Sequence, residues 1–294
     1  MIKRERYKAI VVFLAPAVIL YVGLFLLPMA QAFYIALFRW RGLSGNKTFV
    51  GLDNFRWLAG ETEFHQALLH NLLFLVISFC VVIPAALFIS SLLARKVPGA
   101  GHYRAIFLFP NMISVVAVAI LWSFVYDPSS RGLLNALLRA VHLQRLIPLG
   151  GWLGDPRTTL YAIIATSIWY SLGFYIVLFL AGMQSIPRSF YEAASIDGAS
   201  GWQQFRFVTI PLLWEVLKLA IVYLIIHTIN VFGLVWVMRE NGQYCETVLT
   251  YLYRTAIAQS QVGRGTAIGV VVFIIILAVS LSSLRLMKRE AVEY

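Results

Sequence analysis

Charge is scarce in this chain, and acid scarcer: 13 Asp and Glu stand against 24 Lys and Arg, together 13% of 294 residues. Two cysteines, Cys80 inside an apolar run and Cys245 in a loop, exclude a disulfide framework. No grouping of Cys, His and carboxylates has ligand spacing, so no metal is expected. Of the five histidines only His227 stands inside an apolar segment, where a packing role is expected. The phosphate-cradling loop G-x-x-x-x-G-K-[ST], the nucleophile elbow G-x-S-x-G and the zinc helix H-E-x-x-H are all missing. Glu192 and Asp197 lie five apart with no partnering His, a poor general acid–base pair. The chain is therefore expected to do no chemistry of its own and to bind no cofactor. Its formal net charge of +11 invites a nucleic-acid reading. But no basic tract exceeds a few residues, and the cations are spread over loops as membrane flanks are, so no nucleic-acid partner is expected.

What the chain has in abundance is apolar length. Hydrophobic residues make up 60% and aromatics 14%, and the mean hydropathy is +0.79, far outside the range of a soluble domain. Six apolar runs stand at about 9–38, 71–94, 103–126, 159–183, 212–237 and 266–286. Each is about 20 residues or more, the length needed to cross a hydrocarbon core about 30 Å thick. The expected fold is all-α and integral to the membrane, with six transmembrane helices. Lys3, Arg4, Arg6 and Lys8 before the first run resemble a signal peptide, and Ala30-Gln31-Ala32 offers a cleavage site. The run is too long for that, contains Pro16 and Pro28, and continues past the site, so it reads as an uncleaved first helix. Pro84 sits inside the second run. The connection 127–157 is mixed and has aliphatic stretches suited to an interfacial helix. Lys218, near one end of the fifth run, is expected to snorkel. Lys and Arg are nearly evenly divided between the two sets of loops. The set at the N-terminus, the second connection, the fourth connection and the tail lies close to the helix ends, which places both termini in the cytoplasm.

One polar segment between apolar runs has its own punctuation: Tyr191-Glu192-Ala193-Ala194-Ser195-Ile196-Asp197-Gly198-Ala199-Ser200, continuing to Thr209-Ile210-Pro211. Pro187 suits a helix's first turn, and residues 188–197 then read as a short helix ended by Gly198 in the left-handed conformation. Ser200 and Gln203 have capping-box spacing, with Trp202, Phe205 and Val208 at helical intervals on a second short helix. Such a hairpin cannot sit in hydrocarbon and offers a surface on which another protein can push. The segment resembles the EAA loop, E-A-A-x-x-D-G-A followed by I-x-L-P, of the permease subunits of ATP-binding-cassette (ABC) importers. Phe49-Val50-Gly51-Leu52-Asp53-Asn54-Phe55 resembles their F-x-G-L-x-N-[FY] segment, and Gly132-Leu133-Leu134-Asn135 their G-L-[LI]-N. With the stretch from Glu246-Thr247-Val248-Leu249 to Tyr253, these resemble the carbohydrate-uptake class, and within it the permease carrying the G-L-x-N segment. Where that family has T-x-G-G-P after the fifth helix, this chain has Met238-Arg239-Glu240-Asn241-Gly242-Gln243.

The resemblance implies a type I importer transmembrane domain of six helices with a cytoplasmic coupling helix. It implies 1–68 as N-terminal tail, first helix and extracytoplasmic loop, 69–287 as the transmembrane domain with its coupling loop at about 185–211, and 288–294 as a cytoplasmic tail. Glu192, Ala193, Ala194, Asp197, Gly198 and Ala199 would dock into an ATPase subunit. The implied partners are a second permease in a heterodimer, two ATPase subunits carrying ATP and Mg, an extracytoplasmic solute-binding protein and membrane lipid. The implied location is a bacterial-type plasma (inner) membrane. A charge at a helix centre costs about 2.5–3.5 kcal/mol, so a path for a neutral solute should use hydroxyls, amides and aromatics. Asn230, Thr228, Tyr170, Ser171, Ser167 and Asn111 are the candidates, and their chemistry suits a sugar. A non-sugar solute such as a glycerophosphodiester, phosphate or polyamine is the alternative. An ion-coupled carrier would instead need ionisable groups at mid-membrane and often inverted repeats.

Overall fold

The computed structural model describes residues 2–42, 45–94, 99–129, 131–239 and 245–288, with side chains from Ile10 onward except at Ala100. Arg95, Lys96, Pro98, residues 240–243 of the connection after the fifth span, Arg289 and the end of the tail lie outside them. The side chains of Lys3, Arg4, Arg6 and Lys8 do as well. Among the described residues, five helices are long and apolar enough to cross a membrane, and a bent helix pair, taken as one span, makes a sixth. The chain divides into two compact units, one of Met1–Phe64 with Tyr251–Ile275 and one of His65–Thr250 with Ile276–Tyr294.

In the first unit, the first span Ile10–Ile35 has none of its most apolar window buried. It ends at a short antiparallel pair, Phe38–Arg39 with Thr48–Phe49. A helix end leaves carbonyls without partners, and Asn54 supplies the missing donors. Its amide reaches Ala36 O at 2.8 Å and Phe38 O at 3.0 Å. The motif asparagine thus fixes where the first span stops. Ala36, Ala267 and Val270 form a small core with Phe55 against it. A side chain at Gly263 would strike the Phe38 carbonyl, so the sixth span, Val262–Leu286, needs a glycine to begin there.

The second unit holds the second to fifth spans and the hairpin. The second, Thr62–Leu93, runs continuously through Pro84 and starts well before residue 71, because the polar Glu63, His65 and Gln66 are a solvated extension of the same helix. The fourth, Thr159–Ser185, is continuous for 27 residues. Lipid tails are as apolar as the core, so spans associate by close packing rather than by escape from water. Small residues carry that packing: a Cβ on Gly173 would clash with the Phe107 carbonyl of the third span. Asn135 of the second motif organises the connection 127–157. It donates to Asp127 O at 3.0 Å and accepts Trp152 Nε1–H at 2.8 Å. The helix within that connection, Leu133–Ala140, leaves Leu133 and Leu137 exposed. Lys218 does not snorkel alone, since its Nζ lies 2.6 Å from Glu215 Oε1 one turn earlier.

Two spans depart from the expected continuous helix. The third consists of Gly101–Met112 and Val115–Val125 at 97° to each other. Ile113 and Ser114 between them are extended, with ψ of 146° and 134°. The fifth is interrupted at residues 230–232, between Trp214–Ile229 and Gly233–Met238. Irregular backbone at membrane depth survives only where protein buries it or a cavity receives it. Side chains from elsewhere do much of that work here. Asn71 Nδ2 donates to Thr228 O at 3.0 Å and Ile229 O at 3.2 Å, and Thr247 Oγ1 donates to Val231 O at 3.2 Å. Tyr170 OH donates to Ile113 O at 3.4 Å.

Candidate functional site

The hairpin is built almost wholly from neighbours in sequence. Its first helix is Arg188–Ile196, with Asp197 as C-cap and Gly198 at φ +77°. Gly198 N–H donates to Ser195 O at 3.1 Å and Ala199 N–H to Ala194 O at 2.9 Å, the paired bonds of a Schellman ending. Both halves of the capping box are present: Gln203 N–H donates to Ser200 Oγ, and Ser200 N–H to Gln203 Oε1 at 2.7 Å. Gln204 Nε2 reaches across to Ser195 Oγ at 3.0 Å, and the Tyr191 and Thr209 hydroxyls meet at 3.0 Å. Glu192, Ala193, Asp197 and Gly198 are exposed, and Ala194 and Ala199 half-buried. Beside them Ile196 is 87% and Trp202 70% exposed. Bare apolar groups among polar ones, on a turn that holds its own shape, make a surface for a protein partner.

The second feature is a cavity of about 430 Å³ where the two broken spans meet the fourth. Val115, just past the third-span break, and Asn230 to Leu234, at the fifth-span break, form part of its wall. Gly233 brings the breaks together, since a Cβ there would stand 3.1 Å from Val115 Cγ1. Ser167, Tyr170 and Asn230 line the cavity together. The other expected path residues do not. Thr228 is buried, its hydroxyl bonded to Leu224 O at 2.8 Å and Ile225 O at 3.2 Å. Ser171 is buried too, with Oγ 3.4 Å from Ile168 O. Asn111 is half-buried on the helix that precedes the third-span break.

His227, expected to pack, lines the cavity with Tyr223; their rings stack at 6.1 Å and 25°. Tyr223, His227 and Asn230 stand at i, i+4 and i+7, one face of a helix, a spacing by which His227 was detectable. No Asp, Glu, Lys or Arg is among the residues lining the cavity. Near the fifth span's end, Arg239 Nη1 meets Glu246 Oε1 at 3.1 Å, and the guanidinium lies 4.2 Å from the Trp236 ring. Cys245 is fully buried beside this pair, and burial pushes its thiol up to about 12.

Residues 57–289 match the family described as the inner membrane component of binding-protein-dependent transport systems. The chain is 34% identical to the probable ABC transporter permease protein YurN of Bacillus subtilis, over 94% of each. It is 32% identical to the diacetylchitobiose uptake system permease protein NgcF of Streptomyces coelicolor, over 91% of this chain and 78% of that one. Its fold is similar to that of a chain from a bacterial ABC transporter involved in import of the acidic polysaccharide alginate, with TM-score 0.84, 23% identity and 98% of each chain covered. The self-contained hairpin, the helices broken at a cavity and these likenesses agree: the chain belongs to the inner membrane components of binding-protein-dependent transport systems, as an ABC transporter permease subunit and not an enzyme.

Proposed function

We propose that this subunit and a second permease form the membrane pathway for a neutral sugar, an oligosaccharide or a related polyol or glycoside, handed over by an extracytoplasmic solute-binding protein. The observation that carries the reading is the cavity wall. It presents one amide, hydroxyls and stacked aromatic rings, and no full charge among the residues that line it. Sugar rings stack on aromatic faces, and their hydroxyls bond to amides and hydroxyls. A volume of about 430 Å³ falls within the range of about 300–1,000 Å³ usual for small-molecule sites. Asn230 is the central contact on the fifth span, with Ser167 and Tyr170 contributed by the fourth. A glycerophosphodiester, phosphate or polyamine would call for a cation or carboxylate that the cavity lacks.

Two ATPase subunits carrying ATP and Mg receive the hairpin, with Glu192 and the small residues Ala193, Ala194, Gly198 and Ala199 in a groove of the partner. Closure of the ATPase pair pushes on a turn too rigid to absorb the movement. The spans it joins then shift against each other, and the two breaks are where the pathway changes shape. With six spans, this puts both termini and the hairpin on the ATPase side of a bacterial-type plasma membrane.

The test is co-purification of wild type and Glu192→Lys, each co-expressed with the neighbouring genes. ATP hydrolysis is assayed with and without binding protein and candidate saccharides. The reading expects an ATPase subunit to accompany wild type and to be lost or uncoupled in the variant, with a saccharide giving the strongest stimulation. Transport by the chain alone in vesicles, with no ATPase associated, would overturn it.

A further inference from the structure

A second cavity, of about 350 Å³, lies within the unit that contains the first span and the start of the sixth. Arg39, Arg41 and Arg264 all line it, and no carboxylate does. Two acids of the same unit are taken elsewhere, Asp53 by Arg56 and Glu63 by Arg254. Arg264 is held in place, its guanidinium 4.4 Å from the Trp57 ring and its Nη1 donating to Gln261 Oε1 at 2.9 Å. Arg39 and Arg41 are exposed and meet no carboxylate among the described residues. Ser260, also on the wall, has φ +52°. Left-handed backbone at a residue other than glycine is a strain that structures keep mainly at functional positions. Gln259 and Gln261, the two neighbours of Ser260, line the cavity as well.

The position of the cavity along the spans bears on its occupant. It sits just past the end of the first span at Ile35 and at the start of the sixth at Val262, with Gly263 N–H bonded to Trp40 O at 3.1 Å. Guanidinia and tryptophans where apolar spans end belong to the headgroup layer of a bilayer. The first span next to it is apolar and unburied, with Phe33 and Tyr34 exposed, and so offers a surface for acyl chains. We propose that this cavity is a site for the phosphate headgroup of an anionic phospholipid. The guanidinia take the phosphate oxygens by charge-assisted hydrogen bonds. With no carboxylate to receive an ammonium group, the site selects phosphatidylglycerol over phosphatidylethanolamine.

The test is native mass spectrometry of the complex purified with its co-expressed partners. The complex is exposed to bicelles of phosphatidylglycerol or of phosphatidylethanolamine with identical acyl chains, then stripped by detergent exchange. Wild type should retain phosphatidylglycerol at least ten-fold more than the R39Q/R41Q/R264Q variant. Gln259→Glu keeps every arginine but places a carboxylate in the cavity, and should lose the lipid equally. Arg285→Gln, at the far end of the sixth span, should retain it. Equal retention by wild type and both cavity variants, or equal retention of the two lipids, overturns the proposal. So does displacement of the lipid by millimolar inorganic phosphate alone, which would make the cavity a free-anion site. If the variants keep the lipid but lose the binding protein, the arginines serve an acidic protein surface instead.

Discussion

The hairpin and the span-break cavity, both in the same unit, use hydrogen bonds in opposite ways. In the hairpin, bonds join residues three to five apart in the Schellman ending and the capping box. They hold a turn whose outer residues, Glu192, Ile196 and Asp197, stay bare. At the cavity the bonds are long in sequence: Asn71 reaches Thr228, 157 residues away, and accepts the N–H of Val248, 177 residues away. They hold open a break that the chain's neighbours in sequence would otherwise close into helix. On the proposed function the hairpin carries force and must not deform, and local bonds of this kind survive when the spans move. On the same proposal the cavity changes shape, and bonds between distant segments allow those segments to separate.

The largest effect expected from this contrast is at Asn71. Asn71→Leu leaves Thr228 O, Ile229 O and Val248 N–H without a partner in a buried place, at about 1–3 kcal/mol for each group. Thermal inactivation should shift down by many degrees, and transport should fall even where ATPase association survives. An unchanged melting temperature would show that the break needs no outside support. Gly198→Val is next. It forces a β-branched residue into left-handed backbone, a cost of about 1–2 kcal/mol confined to the turn, since nothing lies within 4 Å of a Cβ there. It should weaken ATPase coupling while leaving the melting temperature of the spans within a degree or two. A large global shift would mean that the hairpin is not self-contained.

The smallest effect concerns reactivity. Thiolate is the attacking form, and the buried Cys245, raised to about 12, is neutral at pH 8. It should resist maleimide in the folded protein, whereas Ser195→Cys on the hairpin should react within minutes. The thiol's pKa is higher folded than unfolded, so the stability linked to it is present below the ordinary thiol pKa and lost as pH rises toward about 12. Rapid labelling of Cys245 at pH 8 would mean that the segment beside the Arg239–Glu246 pair opens readily.

The same contrast explains what could be read from the sequence. A span needs about 20 apolar residues in a row, and a hairpin built from Gly198, Ser200 and Gln203 announces itself through residue types at fixed short spacing. Both were legible. Asn54 and Asn135 were visible as motif letters, but their work, holding Ala36 and Phe38 in one case and Asp127 and Trp152 in the other, depends on chain brought together by folding. The breaks at 113–114 and 230–232 could not be read as breaks: Asn111, Ser114, Asn230 and Gly233 stand at or beside them, but isolated polar residues and glycines also occur inside the continuous fourth span, and the freed carbonyls find their partners far away in sequence. Asn230, Ser167 and Tyr170 were chosen by chemistry, and one cavity is lined by all three. Thr228 and Ser171 have the same chemistry, but their hydroxyls bond back to their own helices, a choice of rotamer and helix face that residue type does not reveal.

The most direct measurement sets the two regions against each other in one preparation. Asn230→Leu and Glu192→Lys would each be purified with partner subunits, and the half-saturating saccharide concentration for stimulated ATP hydrolysis measured alongside ATPase-subunit retention. The account predicts that Asn230→Leu keeps the ATPase subunit and raises half-saturation about ten-fold, and that Glu192→Lys loses the subunit or its stimulation. Unchanged saccharide dependence in Asn230→Leu would contradict it, and so would retained coupling in Glu192→Lys.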